Sequence, residues 1–229
     1  MVTIGTAGAA GGLGLRDRKK QRTRQLIAET AARLFAERGF EAVAVIEVAR
    51  EAEVAEATVY NYFPTKEDLV YQHMEAYQDQ LIGAVAARPA GVSILEAVRD
   101  FVLEPRGFLV ATDPGEVDTL MSLAQVISAS PSLLTREREV FARYSDSLAE
   151  LIAAEAGASV DDLGPRLIAD ALIGVHRILV ELVRRRLLEG LVDRGRLADE
   201  VRTQGSRCFA VLAEGLGDVG RERRDRTRR

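Results

Sequence analysis

The chain has 229 residues, of which 47% are hydrophobic and 29% are charged, and its formal net charge is −4. This length can bury one or two hydrophobic cores, and the composition excludes a disordered or membrane-embedded protein. The only cysteine is Cys208 and the only histidines are His73 and His176, which excludes an intrachain disulfide and disfavours a metal site rich in thiol or imidazole ligands. We therefore expect neither a metal nor a cofactor.

The sequence shows neither a membrane span nor a convincing signal peptide. No apolar run approaches the roughly 18 residues of a membrane span, and residues 1–15 lack the basic start and apolar centre of a signal peptide. We interpret residues 1–15 as a flexible leader and the arginine-rich residues 218–229 as a disordered basic tail. The single cysteine favours a reducing compartment, so a cytoplasmic protein without membrane contact is predicted.

Three helices are predicted in the first part of the chain. The first spans about residues 17–38, because four apolar residues recur at the spacing of one buried stripe: Ile27, Ala31, Leu34 and Phe35. Helices over about residues 45–52 and 56–62 follow, and Pro64 ends the last of them. Two short helices that meet at the small Ala49 and share an apolar core are typical of a helix-turn-helix unit, whose second helix enters the DNA major groove.

Six further helices complete a predicted all-α fold of about nine helices. Thr65 and Asp68 resemble a capping box, which predicts a long fourth helix from Thr65 to about residue 87. Serine or aspartate caps begin the next three helices, which run from Ser93 to before Pro105, from Asp113 to about Ser128, and from Ser130 to Ala156. The last two helices are predicted over residues 163–188 and about 197–216.

These last two helices each carry apolar residues on one side. On the first they are Leu167, Ala171, Val175, Ile178, Leu182 and Val183, and on the second they include Val201, Phe209, Leu212 and Leu216. Such helices suit a four-helix interface to which each subunit of a dimer contributes a pair, and they equally suit a monomeric bundle. Periodicity does not separate these two interpretations.

Basic residues are concentrated before the first apolar stripe. Residues 16–24 contain six of them against a single acidic residue, Asp17. Phosphate attraction acts within about one Debye length, roughly 8–10 Å, so a local basic segment can bind DNA although the chain is acidic overall. We expect a DNA-contacting arm formed by Arg16, Arg18, Lys19 and Lys20. The alternative is a solvated helix start without a binding role.

Three runs of residues resemble the N-terminal domain of TetR-family transcriptional regulators: AARLFAERGF at 31–40, Val48-Ala49, and ATVYNYFPTKEDL at 57–69. The rest of the chain resembles the family only in length and helical pattern. The resemblance implies a helix-turn-helix domain over residues 16–63 and a helical effector-binding and dimerisation domain over 64–217. It also implies a homodimer through the last two long helices, a palindromic double-stranded DNA operator, and a small-molecule effector that releases a repressor.

Residues around the third helix are predicted to face the bases. The resemblance assigns positions near the bases to Ile46, Glu56 and Thr58. Ala57 is small enough for a close approach to the groove, and the Thr58 methyl group can meet a thymine methyl group. Glu56 is acidic where phosphate repulsion is felt, but a carboxylate can accept a hydrogen bond from cytosine N4.

A second group of residues is predicted to contact the DNA backbone. The resemblance assigns phosphate contacts to Tyr60, Tyr62 and Lys66, and Asn61 offers an amide donor on the same side. Lys66 also lies at a predicted helix start, where unpaired backbone donors favour a phosphate oxygen. Tyr62 is the last core position of the motif, so packing is an equal alternative for its ring.

Three positions depart from the family pattern. The family usually has glycine in the turn where this chain has Glu53, and a left-handed residue other than glycine costs about 1 kcal/mol. Ala44 and Ala55 replace residues that usually carry a hydroxyl group, and each loses a helix N-cap worth about 1 kcal/mol. These departures, with Glu56, predict weak non-specific binding that the basic arm offsets.

An effector pocket is predicted among the central helices. Pockets are mostly apolar with a few placed polar groups, and the resemblance implies one in this part of the chain for an apolar small molecule. The alternative is an ordinary core, where aromatic residues at helical spacing usually lie. The candidates are Phe101, Phe108, Met121, Gln125, Phe141, Tyr144 and His176.

An enzyme and a helical scaffold are the alternatives to a DNA-binding protein. An enzyme is disfavoured because Gly12-Leu13-Gly14 completes neither a dinucleotide fingerprint nor a P-loop, and the sequence contains no His-Glu-x-x-His pair or Gly-x-Ser-x-Gly elbow. A helical scaffold or protein-interaction module with a weakened DNA-reading surface remains an alternative. Specific, salt-dependent binding to an operator distinguishes a regulator from such a scaffold.

Overall fold

The computed structural model describes residues 14–72, 74–112, 114–190 and 193–215. These residues form nine α-helices and two short 3₁₀ helices and contain no β-strand, so the predicted all-α fold is confirmed. None of the described helices has the length and apolar character needed to cross a membrane. The α-helices are α1 Leu15–Arg38, α2 Val45–Glu51, α3 Glu56–Tyr62, α4 Met74–Ala86, α5 Ile94–Leu103, α6 Pro114–Ala129, α7 Pro131–Ala156, α8 Gly164–Leu188 and α9 Arg194–Glu214.

The chain divides into two compact units, and the boundary lies between Val70 and Tyr71. The first unit contains α1, α2, α3 and a 3₁₀ helix, Glu67–Leu69. Its core contains the predicted α1 stripe, since Ile27, Ala31, Leu34 and Phe35 are all buried, together with Val48, Val59 and Phe63. Burying an apolar side chain of this size is worth roughly 1.5–3 kcal/mol, so this shared core is what orients the short helices.

Two turns shape the first unit. Gly39 follows α1 with φ +82°, and Phe40 then folds back so that its ring meets the Phe35 ring edge-on at 5.0 Å between centroids. Between α2 and α3, Glu53 has φ +54°, the conformation expected for this turn, and Val54 donates a backbone hydrogen bond to Ala49. The chain therefore adopts the helix-turn-helix connection without a glycine.

The prediction of a long fourth helix that begins at Thr65 is wrong. The Thr65–Asp68 capping interactions do form, with Thr65 N donating to Asp68 Oδ2 at 3.0 Å, but they cap only the 3₁₀ helix. The fourth α-helix begins at Met74. Tyr71 is buried in the second unit and its hydroxyl group donates to the Leu133 carbonyl at 2.9 Å, whereas Leu69 is buried in the first unit. Leu69 and Tyr71 are only two residues apart but are buried in different cores, and this interrupts the predicted helix.

The second unit is built around α7, α8 and α9, with α4, α5 and α6 packed against them. Local signals set the helix ends as predicted: Ser130 Oγ accepts from Leu133 N at the start of α7, and Gly157 ends it with φ +61°. Glu137 and Arg184 join α7 to α8 through two hydrogen bonds of 2.7 and 2.9 Å between nearly buried side chains. Both charges are thus satisfied inside the core, as a buried ion pair requires.

Candidate nucleic-acid interface and a buried aromatic cluster

The two faces of α3 have different surroundings. Val59 is fully buried and anchors the helix to the core of the first unit. On the other side, Glu56, Ala57 and Asn61 are exposed, and Tyr60 is 46% exposed although it is a large aromatic residue. Thr58, which was predicted to face bases, is half-buried. The exposed face therefore presents an acceptor, a small residue, a phenol and an amide within one short helix.

Ala44 provides no side-chain cap at the start of α2, as predicted, but another side chain binds the backbone there. Glu47 Oε2 accepts from the Ala44 backbone N–H at 2.8 Å, which supplies the acidic half of a capping box. This hydrogen bond, opposed by burial and assisted by Arg38 and Arg50, lowers the pKa of Glu47. Ile46, the second α2 residue, is 58% exposed, a position compatible with its predicted place near the bases.

Tyr62 and Arg24 meet at the end of α3. Arg24 Nη1 donates to the Tyr62 carbonyl at 2.9 Å, and its guanidinium carbon lies 4.5 Å from the centroid of the Phe63 ring. The Tyr62 side chain is half-buried, so it has both packing and exposed surface. Arg24 thus fixes the last turn of α3 against α1.

Lys66 makes contacts within the first unit. Its Nζ donates to the Phe40 carbonyl at 2.6 Å and lies 4.2 Å from the centroid of the Phe40 ring. Burial lowers the pKa of Lys66, although Glu41, Glu67 and Glu47 act in the opposite direction. An ammonium group has three donors, so a phosphate oxygen would share Lys66 with this internal contact.

The basic arm forms the first turns of α1. The helix begins at Leu15, after Gly14, without a side-chain cap. Residues 1–13 and 216–229, which include most of the predicted leader and the basic tail, lie outside the described residues. The four predicted arm residues are all exposed: Arg16, Arg18, Lys19 and Lys20.

In the second unit, three of the predicted pocket residues pack around Tyr77 of α4. The Tyr77 ring stacks on His176 at 4.9 Å between centroids and on Tyr144 at 6.0 Å, and it meets Phe101 edge-on at 5.2 Å. The Phe141 ring lies edge-on to His176 at 5.3 Å. We call these five residues, with Arg106, the aromatic cluster.

The remaining predicted pocket residues are placed differently. Met121 is partly buried against the core of the second unit, whereas Gln125 is exposed and is not brought to the aromatic cluster by any described contact. Phe108 belongs to the 3₁₀ helix Gly107–Leu109, but its side chain lies outside the described part of the structure.

The aromatic cluster contains two buried nitrogen atoms without partners. Among the described residues, Arg106 Nη1 and His176 Nδ1 are the buried side-chain polar atoms that make no hydrogen bond. Burial, and to a lesser degree Arg106, lowers the pKa of His176 to about 4, so its imidazole is neutral at physiological pH. Burial also raises the pKa of Tyr77 to about 12. Tyr144 in contrast is satisfied, because its hydroxyl group donates to the Met74 carbonyl at 2.7 Å.

Two surface cavities of the second unit contain none of the predicted pocket residues. One, of about 550 Å³, lies between α5 and α9 and includes Leu103, Arg99 and Phe209 in its wall. The other, of about 510 Å³, is lined by Arg186 and its ion-pair partners Glu189 and Glu200. In the part of the chain that the structure describes, no group of three histidine, cysteine or acidic residues is placed to hold a metal ion.

Comparison with known families accounts for both units. A model described as "Bacterial regulatory proteins, tetR family" matches residues 27–72, and one described as "MftR C-terminal domain" matches residues 92–187. Together the two models span more than half of the chain. The chain belongs to the TetR family. It is therefore a DNA-binding transcriptional regulator of the helix-turn-helix class.

Relatives of this TetR-family regulator cover most of its length. It is 29% identical to the HTH-type transcriptional regulator TcmR of Streptomyces glaucescens over 183 residues, which are 77% of this chain and 80% of TcmR. It is 25% identical over 158 residues to MftR of Mycobacterium tuberculosis, whose name refers to mycofactocin biosynthesis, covering 69% of this chain and 78% of MftR. A crystal structure of NalD, described as the secondary repressor of the MexAB-OprM multidrug efflux pump in Pseudomonas aeruginosa, shares the fold. NalD is 23% identical with a TM-score of 0.53, covering 82% of this chain and 97% of NalD.

Three residues with structural contacts in this TetR-family regulator were not predicted from sequence: Arg24, Tyr77 and Arg106. Arg24 was counted only among the basic residues before the first stripe, yet it lies one turn before the buried Ile27 and Ala28. That spacing places it on the inward side of α1 and was the available signal. Tyr77 and Arg106 carried no such signal, because the residues they contact come from other helices.

Proposed function

We propose that this TetR-family regulator is a homodimeric repressor that binds a palindromic operator through α3 and leaves it when a small molecule binds the second unit. The observation that carries the DNA-binding part is the exposed face of α3, opposite the buried Val59. A large tyrosine, an amide and an acidic acceptor share this exposed helix surface. A groove edge offers partners for each of them.

Within this proposal the residues of the DNA-binding unit have separate tasks. Glu56, Ala57 and Ile46 are proposed to lie at the bases, where Glu56 accepts from cytosine N4, and Thr58 adds a partly exposed methyl group. Tyr60, Asn61, Tyr62 and Lys66 are proposed to donate to phosphate oxygens and so to set the register. The exposed arm, Arg16, Arg18, Lys19 and Lys20, supplies salt-dependent attraction.

Exposed apolar residues on α8 support the dimer. Leu167 and Ile178, both in the stripe predicted from sequence, are 72% and 50% exposed, whereas α8 buries Leu172 and Leu179 in its own unit. Val211 of α9 is exposed as well. Exposed apolar residues on two helices that pack together are typical of an interaction surface, and a second copy of α8 and α9 would complete a four-helix interface.

Release by an effector follows from the geometry that a palindrome demands. The two α3 helices of a dimer have to enter successive major grooves about 34–36 Å apart. A small molecule that binds better to a conformation with another separation shifts the population away from DNA binding. The protein would act in the cytoplasm, the compartment in which it meets the chromosome.

Selection of bound fragments from a random duplex library tests this proposal. The expected result is enrichment of a palindrome whose half-sites are about one helical turn apart, with an affinity that falls steeply with salt. Absence of any enriched sequence, combined with a shallow salt dependence, would contradict it.

A scaffold with a weakened DNA-reading surface is the second candidate. It is favoured by Ala55, which provides no side-chain cap for α3, and by the exposed acidic group of Glu56 at the same end. Both features reduce attraction to phosphate. The same selection separates the candidates, because a scaffold enriches no sequence.

A further inference from the structure

We infer that the aromatic cluster of the second unit is the effector site and that it takes a planar aromatic anion, whose charged group is held by Arg106 and His176. This inference rests on the proposed effector-responsive function and names the chemical class of the effector. It assigns roles to Tyr77 and Arg106, which the sequence did not mark.

The rings of the cluster contact one another, and a flat molecule can join them by taking the place of Tyr77 on the face of His176. Tyr77 and His176 are nearly parallel, with an interplanar angle of 19° at 4.9 Å, and Tyr144 is within 10° of His176. Phe101 and Phe141 approach edge-on, at 72° to Tyr77 and 86° to His176. Aromatic rings interact best when they are offset-stacked or edge-on, so a planar guest in the place of Tyr77 would stack on His176 and meet the edge of Phe141.

Arg106 provides positive charge at the border of these rings. Its guanidinium carbon lies 4.0 Å from the centroid of Phe101 and 5.9 Å from that of Tyr77. One arm of the guanidinium pairs with Glu104, whose side chain is largely exposed, while Nη1 is buried and has no partner among the described residues. A buried charged donor without an acceptor is costly, and an anionic group of a ligand would satisfy it.

His176 provides a second unsatisfied group beside the first. It is only 7% exposed, and its Nδ1 makes no hydrogen bond with the described residues. Because its imidazole is neutral, one nitrogen can donate while the other accepts, and the tautomer follows the partner. Arg106 is therefore the group that sets the sign of charge the cluster prefers.

The same unit shows how a structural arginine is satisfied. Arg184 gives two hydrogen bonds to Glu137, of 2.7 and 2.9 Å, and neither residue has an unpartnered buried atom. The buried Nη1 atom of Arg106 has no hydrogen-bond partner among the described residues. A site that awaits a ligand explains this difference, because binding sites keep polar groups unpaired until the ligand arrives.

Binding at this cluster also offers a route to regulation. Tyr77 lies in the first turn of α4, and Tyr144 holds the beginning of that helix through the Met74 carbonyl. A guest that replaces Tyr77 on the face of His176 would shift the first turn of α4. That turn follows soon after the chain leaves the DNA-binding unit at Val70.

Isothermal titration calorimetry with 2-naphthoate tests the inference on the full chain at pH 7. The matched probes are neutral 2-naphthamide and cationic 2-naphthylmethylammonium, which keep the ring and change the charge of the group attached to it. We expect 2-naphthoate to bind at least about tenfold more tightly than 2-naphthamide, as a charge-assisted contact requires, and the cation not to bind.

Variants locate the binding. Arg106→Gln should abolish the preference for 2-naphthoate, Arg106→Lys should retain part of it, and His176→Phe should weaken binding while keeping the stacking surface. Arg99→Gln is the control, because Arg99 is a partly exposed arginine of α5 that pairs with the next residue, Asp100. Circular dichroism confirms that each variant is folded.

Equal affinities for the three probes, no binding of any of them, or an unchanged preference in folded Arg106→Gln and Arg106→Lys would overturn the inference. Operator binding is measured in parallel. If the parent chain binds its operator but none of the three probes, the ligand class alone is refuted. Binding of 2-naphthoate without any effect on operator affinity upholds the site and refutes effector release.

Discussion

Lys66 and Lys20 carry the same charge in different surroundings, and this difference separates stability from DNA binding. Lys66 is partly buried on the Phe40 carbonyl and ring, whereas Lys20 is exposed on α1. Lys66 therefore serves the fold as well as the proposed phosphate contact. Lys20 can act only through its charge.

Replacing each lysine by alanine distinguishes these roles. Lys66→Ala should lower the free energy of unfolding by about 1 kcal/mol, because a hydrogen bond and a cation–π contact are lost, and should weaken binding to every duplex. Lys20→Ala should leave stability within about 0.5 kcal/mol and reduce the salt dependence of DNA affinity by about one phosphate contact. Urea denaturation and fluorescence anisotropy at several salt concentrations measure both. Identical urea midpoints for Lys66→Ala and the parent chain would contradict the assigned contact.

His176 predicts a pH dependence of stability. Its pKa is about 4 in the folded chain, against an ordinary value of 6.5, because it is buried between Tyr77, Phe141 and Tyr144 and faces Arg106. Between these values the unfolded chain binds one more proton than the folded chain, so stability falls as the pH is lowered from 6.5 to 4. The loss amounts to about 3 kcal/mol.

The measurement is urea unfolding of the parent chain and of His176→Gln at several pH values. Carboxylates such as Glu47 and Glu96 also destabilise the fold in acid, since their pKa values are lowered, and they act in both proteins. The difference between the two proteins isolates His176. A difference that stays constant from pH 7 to pH 4 would refute the assignment.

At the scale of an element, the turn between α2 and α3 stores backbone strain. Glu53 adopts φ +54°, a conformation that costs a residue with a Cβ roughly 1 kcal/mol. Glu53→Gly should raise the free energy of unfolding by about 0.5 kcal/mol, because the relief exceeds the greater entropy of an unfolded glycine. Glu53→Ala is the control and should give no gain. Differential scanning calorimetry compares the two variants, and an equal gain in both would show that the Glu53 side chain, not φ, was responsible.

Local signals explain which elements could be predicted. The bounds of α3 follow from its apolar spacing and Pro64, and those of α7 from Ser130 and Gly157, so both helices match their predictions. The break before α4 depends on a hydrogen bond between Tyr71 and Leu133, which are 62 residues apart, and no local pattern reports it.

The same distinction holds for the candidate sites. Exposed residues of α3 could be placed from the motif, whereas the contacts of Arg24 and Lys66 join residues 38 and 26 positions apart. The aromatic cluster unites α4, α5, α7, α8 and the segment after α5. Its members could be suspected individually, but their meeting point is a property of the tertiary fold.

At the scale of the whole molecule, the proposed dimer depends on the exposed apolar side of α8. Leu167→Glu should place a charge in that interface and dissociate the dimer, with a loss of operator affinity of at least about tenfold because two linked binding units become one. Val160→Glu is the control, since Val160 is fully exposed and lies before α8. Sedimentation equilibrium measures the mass of each variant. A parent chain that is monomeric at micromolar concentration would refute the interface.

The role of α3 is tested most directly by measuring DNA affinity for the selected palindrome and for a shuffled duplex. The intact protein, Tyr60→Ala and Glu56→Gln are compared. We expect Tyr60→Ala to weaken binding to both duplexes by a similar factor of about five to ten, since one phosphate contact is lost. Glu56→Gln should change the preference at one base pair in each half-site. If both variants bind both duplexes as the parent does, α3 does not read DNA and the proposed function is contradicted.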